Sequence, residues 1–432
     1  MTTATFALPA RTIHERAGAL AGRGWRAYLV AAALLLPFVL PPGPAQLAAL
    51  DLVNLAALAV FAAVVLMRRV PVVVPFAVPL IVIGAASLLA VTNAVSVGAS
   101  ALSLAQDVYL VAWFVLLVAV MSRQGDLRPV TLTWVAVADA AALVCVAQAA
   151  QAGAFPGQLL SAEGFRPAGT FYGANMAADY FVLSVFVALT LVRGGRSAAF
   201  AFASIALLVV ALLVTKSNGS LIALVIGLAA AGIVWAMRGE GARLRRLGGL
   251  ALLGGALVLG AFATVEWGAV GEAERIGSAS VLGRMEKSSA GRQAIWSQLG
   301  GRLLRNPLGI GPGNSVHQSV AIGHRVRPGT SFQSKEAHSD YIAYAVERGP
   351  LGLLGHLLWV AAGLALVLGG RGPAPRLEWL RAAFAGGLVA TAVHSAVIEK
   401  LHFRHYWLFL ALATATMAAS RFRPEHPEEA RP

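Results

Sequence analysis

Two arginines and a histidine, far apart in the chain, are of the types that grip phosphate and move protons. Arg166 lies in Phe165-Arg166-Pro167-Ala168-Gly169-Thr170-Phe171, and Arg292 in Gly291-Arg292-Gln293-Ala294-Ile295-Trp296. His338 lies in Glu336-Ala337-His338-Ser339-Asp340-Tyr341. A guanidinium is a planar fork of N–H donors matched to phosphate oxygens. An imidazole exchanges a proton near neutral pH. Meeting in space, the three would suit a phosphate-bearing substrate. Spacing alone also allows headgroup anchors, loop ion pairs and a hydrogen-bonded loop histidine. Glu336, His338 and Asp340 are of metal-binding types, but i, i+2, i+4 spacing does not put all three on one helical face, and no metal site is expected there.

What must position these residues is set by composition. The chain has 432 residues, 58% hydrophobic and 12% charged, with mean hydropathy +0.72. A soluble domain carries about 25% charge, so lipid is the natural solvent here. The sequence predicts an all-α integral membrane protein with about 12 transmembrane helices, each needing roughly 20 apolar residues. Candidate spans lie near 27–43, 46–66, 72–91, 104–122, 129–150, 174–192, 197–214, 219–237, 247–265, 350–369, 378–397 and 403–420. The first is expected to be retained as a membrane helix, since no small-residue cleavage site follows it. The expected division is a transmembrane bundle over 1–265, an outer loop region over 266–349, further spans over 350–420 and a tail over 421–432.

Charge fixes the expected sidedness. With the N-terminus in the cytoplasm, every short inner segment is basic: Arg23 and Arg26, Arg68 and Arg69, Arg123 and Arg128, Arg193 and Arg196, Arg238 to Arg246, Arg371 to Arg381, Arg421 to Arg431. The short outer segments hold only Arg166, Lys216, Lys400 and Arg404. This is the positive-inside pattern. The net charge of +14 is scattered between apolar blocks, which suits anionic lipid or substrate and not nucleic acid. Cys145 is the single cysteine and reads as a spectator in an apolar run.

The long outer segment 266–349 cannot be membrane filler, and loops of that length are usually functional. Ile295, Leu299 and Leu303 fall at helical spacing with Arg292, Arg302 and Arg305 around them, predicting an amphipathic helix over 291–306. Asn306-Pro307 stops it, and Gly309, Gly311, Pro312 and Gly313 make a tight turn. A second helix is expected to start near 334–336, run through His338, Tyr341 and Tyr344, and end at Gly349-Pro350. Glu347 and Arg348 could pair and brace the end of the loop, or serve the site. Asp139 and Asp179 fall in or near spans, where a carboxylate is functional or held by a partner on a neighbouring helix. His394, His402 and His405, near the outer ends of the last two spans, could line the cavity but are expected rather to pack or anchor, as Trp25, Trp267 and Tyr406 are expected to mark the membrane interface.

Three segments together resemble the O-antigen ligase and polymerase superfamily of bacterial envelope enzymes. They are Arg166 to Asn175 (Arg-x-x-Gly-x-Phe-x-x-x-Asn), Gly291 to Gly311 (Gly-Arg-x-x-x-Trp, then Asn-Pro-Leu-Gly-x-Gly) and Ala337 to Leu353 (Ala-His-Ser-Asp-Tyr, then Glu-Arg-Gly-Pro-Leu-Gly-Leu). The resemblance implies a GT-C-like membrane fold whose large periplasmic loop contains short amphipathic helices. It implies a glycosyltransferase of the bacterial inner membrane, with both termini cytoplasmic and the active site periplasmic. Its donor would be a glycan on undecaprenyl diphosphate and its acceptor, in the ligase branch, lipid A–core oligosaccharide. Neither metal nor other cofactor is implied, and the anomeric carbon would invert. His338 would activate the acceptor hydroxyl, and Arg166 and Arg292 would hold the diphosphate, with Lys216, Asn175 and Tyr341 contributing to substrate binding. The family's Ser-Arg-Gly reads Ser217-Asn218-Gly219 here, which leaves Lys216 as the nearest positive charge. Ser339 stands where the family commonly has Asn. A polymerase or a protein O-oligosaccharyltransferase of the same superfamily shares donor and chemistry but differs in acceptor. A secondary transporter would instead show mid-membrane charge pairs and internal repeats, and no repeat is visible.

Overall fold

The computed structural model describes residues 20–39, 48–151, 166–192, 197–238, 281–315, 337–369 and 375–422. These form helices α1 (Arg23–Leu35), α2 (Ala49–Arg68), α3 (Ala77–Val91), α4 (Val97–Met121), α5 (Arg128–Gln151), α6 (Ala174–Leu191), α7 (Ser197–Val214), α8 (Asn218–Arg238), α9 (Val281–Arg305), α10 (Asp340–Leu368), α11 (Pro375–His394) and α12 (Arg404–Phe422). No strand occurs among the described residues. Seven of the helices (α2, α4, α5, α6, α7, α8 and α10) are long and apolar enough to cross a membrane, and α3 is a shorter apolar helix. The expected span 247–265 lies outside the described residues, as do Glu336 and Trp267.

Burial is distributed as lipid requires. Leu66 and Met67 on α2 are 78% and 75% exposed, an outward apolar face that water could not solvate. At the centre, α6 is covered nearly all round, with Tyr180, Phe181 and Phe186 inaccessible. Helices approach through small residues, which replace the hydrophobic drive that lipid removes. Gly227 of α8 and Gly386 of α11 face each other. A Cβ on Gly227 would lie 2.7 Å from the Gly386 carbonyl oxygen.

Hydrogen bonds between connections sort them to two ends. At one end Arg123 donates to the Pro71 carbonyl (3.2 Å) and Arg128 to Ser197 Oγ (3.1 Å). At the other, Arg166 donates to the Thr215 carbonyl (3.0 Å) and the Asp340 amide to the Ser395 carbonyl (2.9 Å). The first set are the basic segments expected inside, and the second the segments expected outside.

The region 281–349 departs from expectation in three ways. The amphipathic helix is longer, beginning at Val281 instead of Gly291. The following helix begins at Asp340, with Ser339 as its N-cap, so His338 stands before it and not within it. Nor does that helix end at Gly349-Pro350: it kinks there and continues to Leu368. The kink has a local cause. Pro350 has no N–H, which strips the Val346 carbonyl of its helical partner. The Ile310 amide donates to that carbonyl instead (3.0 Å), and the Gly311 amide to the next, Glu347 (3.0 Å). The two glycine-rich motifs of the loop therefore interlock. Gly349 has φ 68° and ψ −176°, a region open to essentially glycine alone. A Cβ there would meet the Pro307 carbonyl oxygen at 2.5 Å.

Candidate functional site

Arg166 sits in a short segment clamped onto α5. Gln148 Oε1 accepts the amides of Ala168 (3.1 Å) and Gly169 (2.9 Å), while its Nε2 donates to the Gly169 carbonyl (2.9 Å). The arginine's Nε donates to the Thr215 carbonyl, and one Nη donates to Asn175 Oδ1 at 2.7 Å. Asn175 lies in the first turn of α6, and Thr215 directly follows α7. A half-buried guanidinium is thus held at its edge by two oxygens from two helix ends. Lys216 follows at φ 57°, its amide closing the last turn of α7 onto the Leu213 carbonyl (3.1 Å) and its side chain exposed.

Arg292 comes to this place on α9. One face of that helix buries Ile295 and Leu299 against Ile310, Ala337, Ala343 and Val346. One turn beyond Arg292, Trp296 Nε1 donates to the Ala337 carbonyl at 2.8 Å, the residue before His338. Burial, and then the nearby positive charge of Arg166, lower the pKa of the Arg292 guanidinium. Arginine starts so high that it stays charged. Two cations within reach of each other in a partly dry place repel, and an anion relieves that repulsion.

His338 is part-exposed with φ 52°, in the left-handed region that few non-glycine residues adopt. The strain is held from several sides. Its amide donates to Glu399 Oε1 (3.1 Å), Ala337 before it is tied to Trp296, and Ser339 after it caps α10. Tyr341 Oη donates to the Ala392 carbonyl (2.9 Å), which directs it to bracing α10 against α11.

Arg166, Asn175 and Arg292 therefore share one end of the bundle with the segment that carries His338, and the exposed Lys216 directly follows Thr215, which holds Arg166. Behind them lies a buried polar cluster that the sequence alone did not reveal as one site. Asp179 receives Lys400 Nζ at 2.5 Å and faces His394 Nδ1 at 2.6 Å and His405 Nε2 at 2.9 Å. His394 and His405, expected to pack, to anchor or to line the cavity, each spend a ring nitrogen on this carboxylate. The cue was a membrane carboxylate matched by several basic residues near the outer ends of late spans. Among the described residues no group of His, Cys, Asp and Glu is arranged to hold a metal ion. The Lys400 ammonium occupies the place beside Asp179. Tyr406 is a second correction: expected at the interface, it is buried with Trp359 Nε1 donating to its hydroxyl at 2.6 Å.

Glu347 and Arg348 do pair (3.2 Å). Arg348 also reaches Asp107 Oδ2 (2.7 Å) and Ser87 Oγ (3.0 Å), and stacks over the Tyr344 ring at 4.3 Å. Glu347 Oε1 accepts Ser315 Oγ at 2.7 Å. The pair ties the interlocked turn to α3 and α4, beneath the site.

Residues 202–357 match the family model described as O-Antigen ligase. That stretch includes α8, α9, Arg292 and His338, and ends shortly after the kink of α10. No curated protein matches the chain.

Proposed function

From the premise that this multi-pass membrane protein belongs to the O-antigen ligase superfamily, we propose that it transfers O-antigen glycan from undecaprenyl diphosphate to lipid A–core oligosaccharide at the periplasmic face of the inner membrane. The acceptor hydroxyl oxygen attacks the anomeric carbon opposite the diphosphate. The bond from that carbon to the phosphate oxygen breaks, and undecaprenyl diphosphate leaves with the electron pair. His338 takes the hydroxyl proton, and the anomeric configuration inverts. Arg166 and Arg292 stabilise the charge that develops on the leaving diphosphate. Their positive groups do the electrostatic work for which other diphosphate-leaving reactions use a divalent cation, so transfer needs none.

One observation supports the reading: the charge of Arg166 is felt at the Arg292 guanidinium from a distant segment, and Arg292 lies on the helix whose Trp296 holds the residue before His338. The test is transfer from a labelled undecaprenyl-diphosphate glycan by purified protein, with chelator present. Lipid A–core, a second lipid-linked repeat and a Ser/Thr peptide are supplied as separate acceptors. We expect product on lipid A–core with inverted configuration, and none from His338→Ala, which should elute and melt like the parent. Product only on another acceptor would move the protein to the polymerase or protein-glycosylating branch. Full activity of His338→Ala would remove the histidine from the chemistry.

A further inference from the structure

A continuous run of hydrogen bonds leads from the buried carboxylate to the guanidinium. Asp179 Oδ1 faces His394 Nδ1 (2.6 Å), and His394 Nε2 faces Ser220 Oγ (3.0 Å). Ser220 Oγ faces Ser217 Oγ (2.9 Å), and Ser217 Oγ donates to Asn175 Oδ1 (3.1 Å). The same Oδ1 accepts Arg166 Nη2. His394, Ser220, Ser217 and Asp179 are all buried, so water cannot substitute for a missing link without cost.

Counting protons gives this chain a direction. The contacts from Asp179 to Asn175 number four, and each needs one proton between its atoms. A neutral imidazole supplies one and the two hydroxyls one each, while a carboxylate and an amide oxygen supply none. The pair of Asp179 and His394 must therefore hold one proton more than a carboxylate beside a neutral ring. The Ser217 proton is committed to Asn175. The Ser220 proton is then needed for Ser217, and His394 Nε2 must donate to Ser220. Whether the extra proton rests on the ring or on the carboxyl, Nε2 bears a hydrogen. From His394 Nε2 onward every donor then points toward Asn175, whose oxygen accepts from two sides and is fixed where Arg166 needs it.

We propose that Asp179 and His394 are positioning residues, which act through Ser220, Ser217 and Asn175 to set the angle of the Arg166 guanidinium on the donor diphosphate. This rests on the reading of Arg166 as a diphosphate ligand. A planar fork is sensitive to its angle as a point charge is not. His405 holds the other carboxylate oxygen of Asp179, while Lys400 shares the one that faces His394.

The test is a double-mutant cycle on binding, which needs no turnover. Affinity for undecaprenyl diphosphate in detergent micelles is measured for the full-length parent, Ser220→Ala, Arg166→Lys and the double variant. Ser220→Ala removes one hydroxyl and almost no volume. It should weaken binding about tenfold in the parent and hardly at all once Arg166 is lysine. An equal loss in both backgrounds, or no loss in either, overturns the proposal. Unaltered affinity in Arg166→Lys and Arg166→Ala would instead sink the diphosphate reading on which it rests. Independently, 15N spectra of histidine-labelled protein, assigned with His394→Gln, should show His394 Nε2 protonated. A bare Nε2 overturns the directed chain even if the affinities behave as expected.

Discussion

Single side chains here are fixed by what they would leave behind. Arg348 is nearly inaccessible and answers Glu347 and Asp107 at once. Arg348→Met keeps much of the bulk but strands the buried Glu347, which we expect to cost on the order of 3 kcal/mol. The loss should appear as a lower midpoint in thermal unfolding of the detergent-solubilised protein. Restoring it by adding Glu347→Gln, which removes the stranded charge, would confirm the cause. An unchanged midpoint in Arg348→Met would show that the pair is not a brace. By contrast Arg292, on the proposed reading, contributes through its fork. Arg292→Lys keeps the charge and loses the planar geometry, so the donor KM should rise by roughly tenfold while the melting profile stays put.

At the scale of elements, α9 holds the histidine segment by apolar packing on Ala337 and by one indole hydrogen bond. Trp296→Phe keeps the ring and deletes the N–H that holds the Ala337 carbonyl. A small displacement of a catalytic group is expensive in rate, so kcat should fall about tenfold with little change in midpoint. A midpoint that fell as steeply as kcat would mean that the contact serves folding alone. The kink of α10 is a second device of this scale. Gly349→Ala meets both a forbidden φ/ψ pair and the Pro307 carbonyl. It should destabilise by more than about 2 kcal/mol, read as a fall in the yield of monodisperse protein. The amphipathic period of 291–306 was legible because Ile295, Leu299 and Leu303 recur at helical spacing. The kink was not. Gly-Pro ordinarily ends a helix, and only the amides of Ile310 and Gly311, from a distant turn, let this one continue.

Over the whole molecule the two ends of the bundle are chemically distinct, and labelling can assign them to compartments. Cys145 is buried at 0% exposure, so the native chain should be silent to a membrane-impermeant maleimide. Gln293→Cys should label in intact spheroplasts, and Arg68→Cys only after permeabilisation, both positions being exposed. Reversed accessibility would invert the topology and remove the site from the periplasm. Asp51 ties the molecule together across its length of sequence. Arg404 grips both its carboxylate oxygens (3.1 and 2.7 Å), and Tyr109 donates to Oδ1 (2.7 Å), which joins α2, α4 and the start of α12.

Composition and charge by themselves determined that this chain is helical, that it is dissolved in lipid, and which connections share an end. Those properties follow from sums over many residues, each needing only its own transfer energy between water and hydrocarbon. The partnership of Asp179 with Lys400, His394 and His405 was decided by tertiary structure alone, as were the left-handed turn at His338 and the approach of Arg292 to Arg166. Each joins groups tens to hundreds of residues apart, and a hydrogen bond or ion pair acts over a few ångströms of space, whatever the separation along the chain.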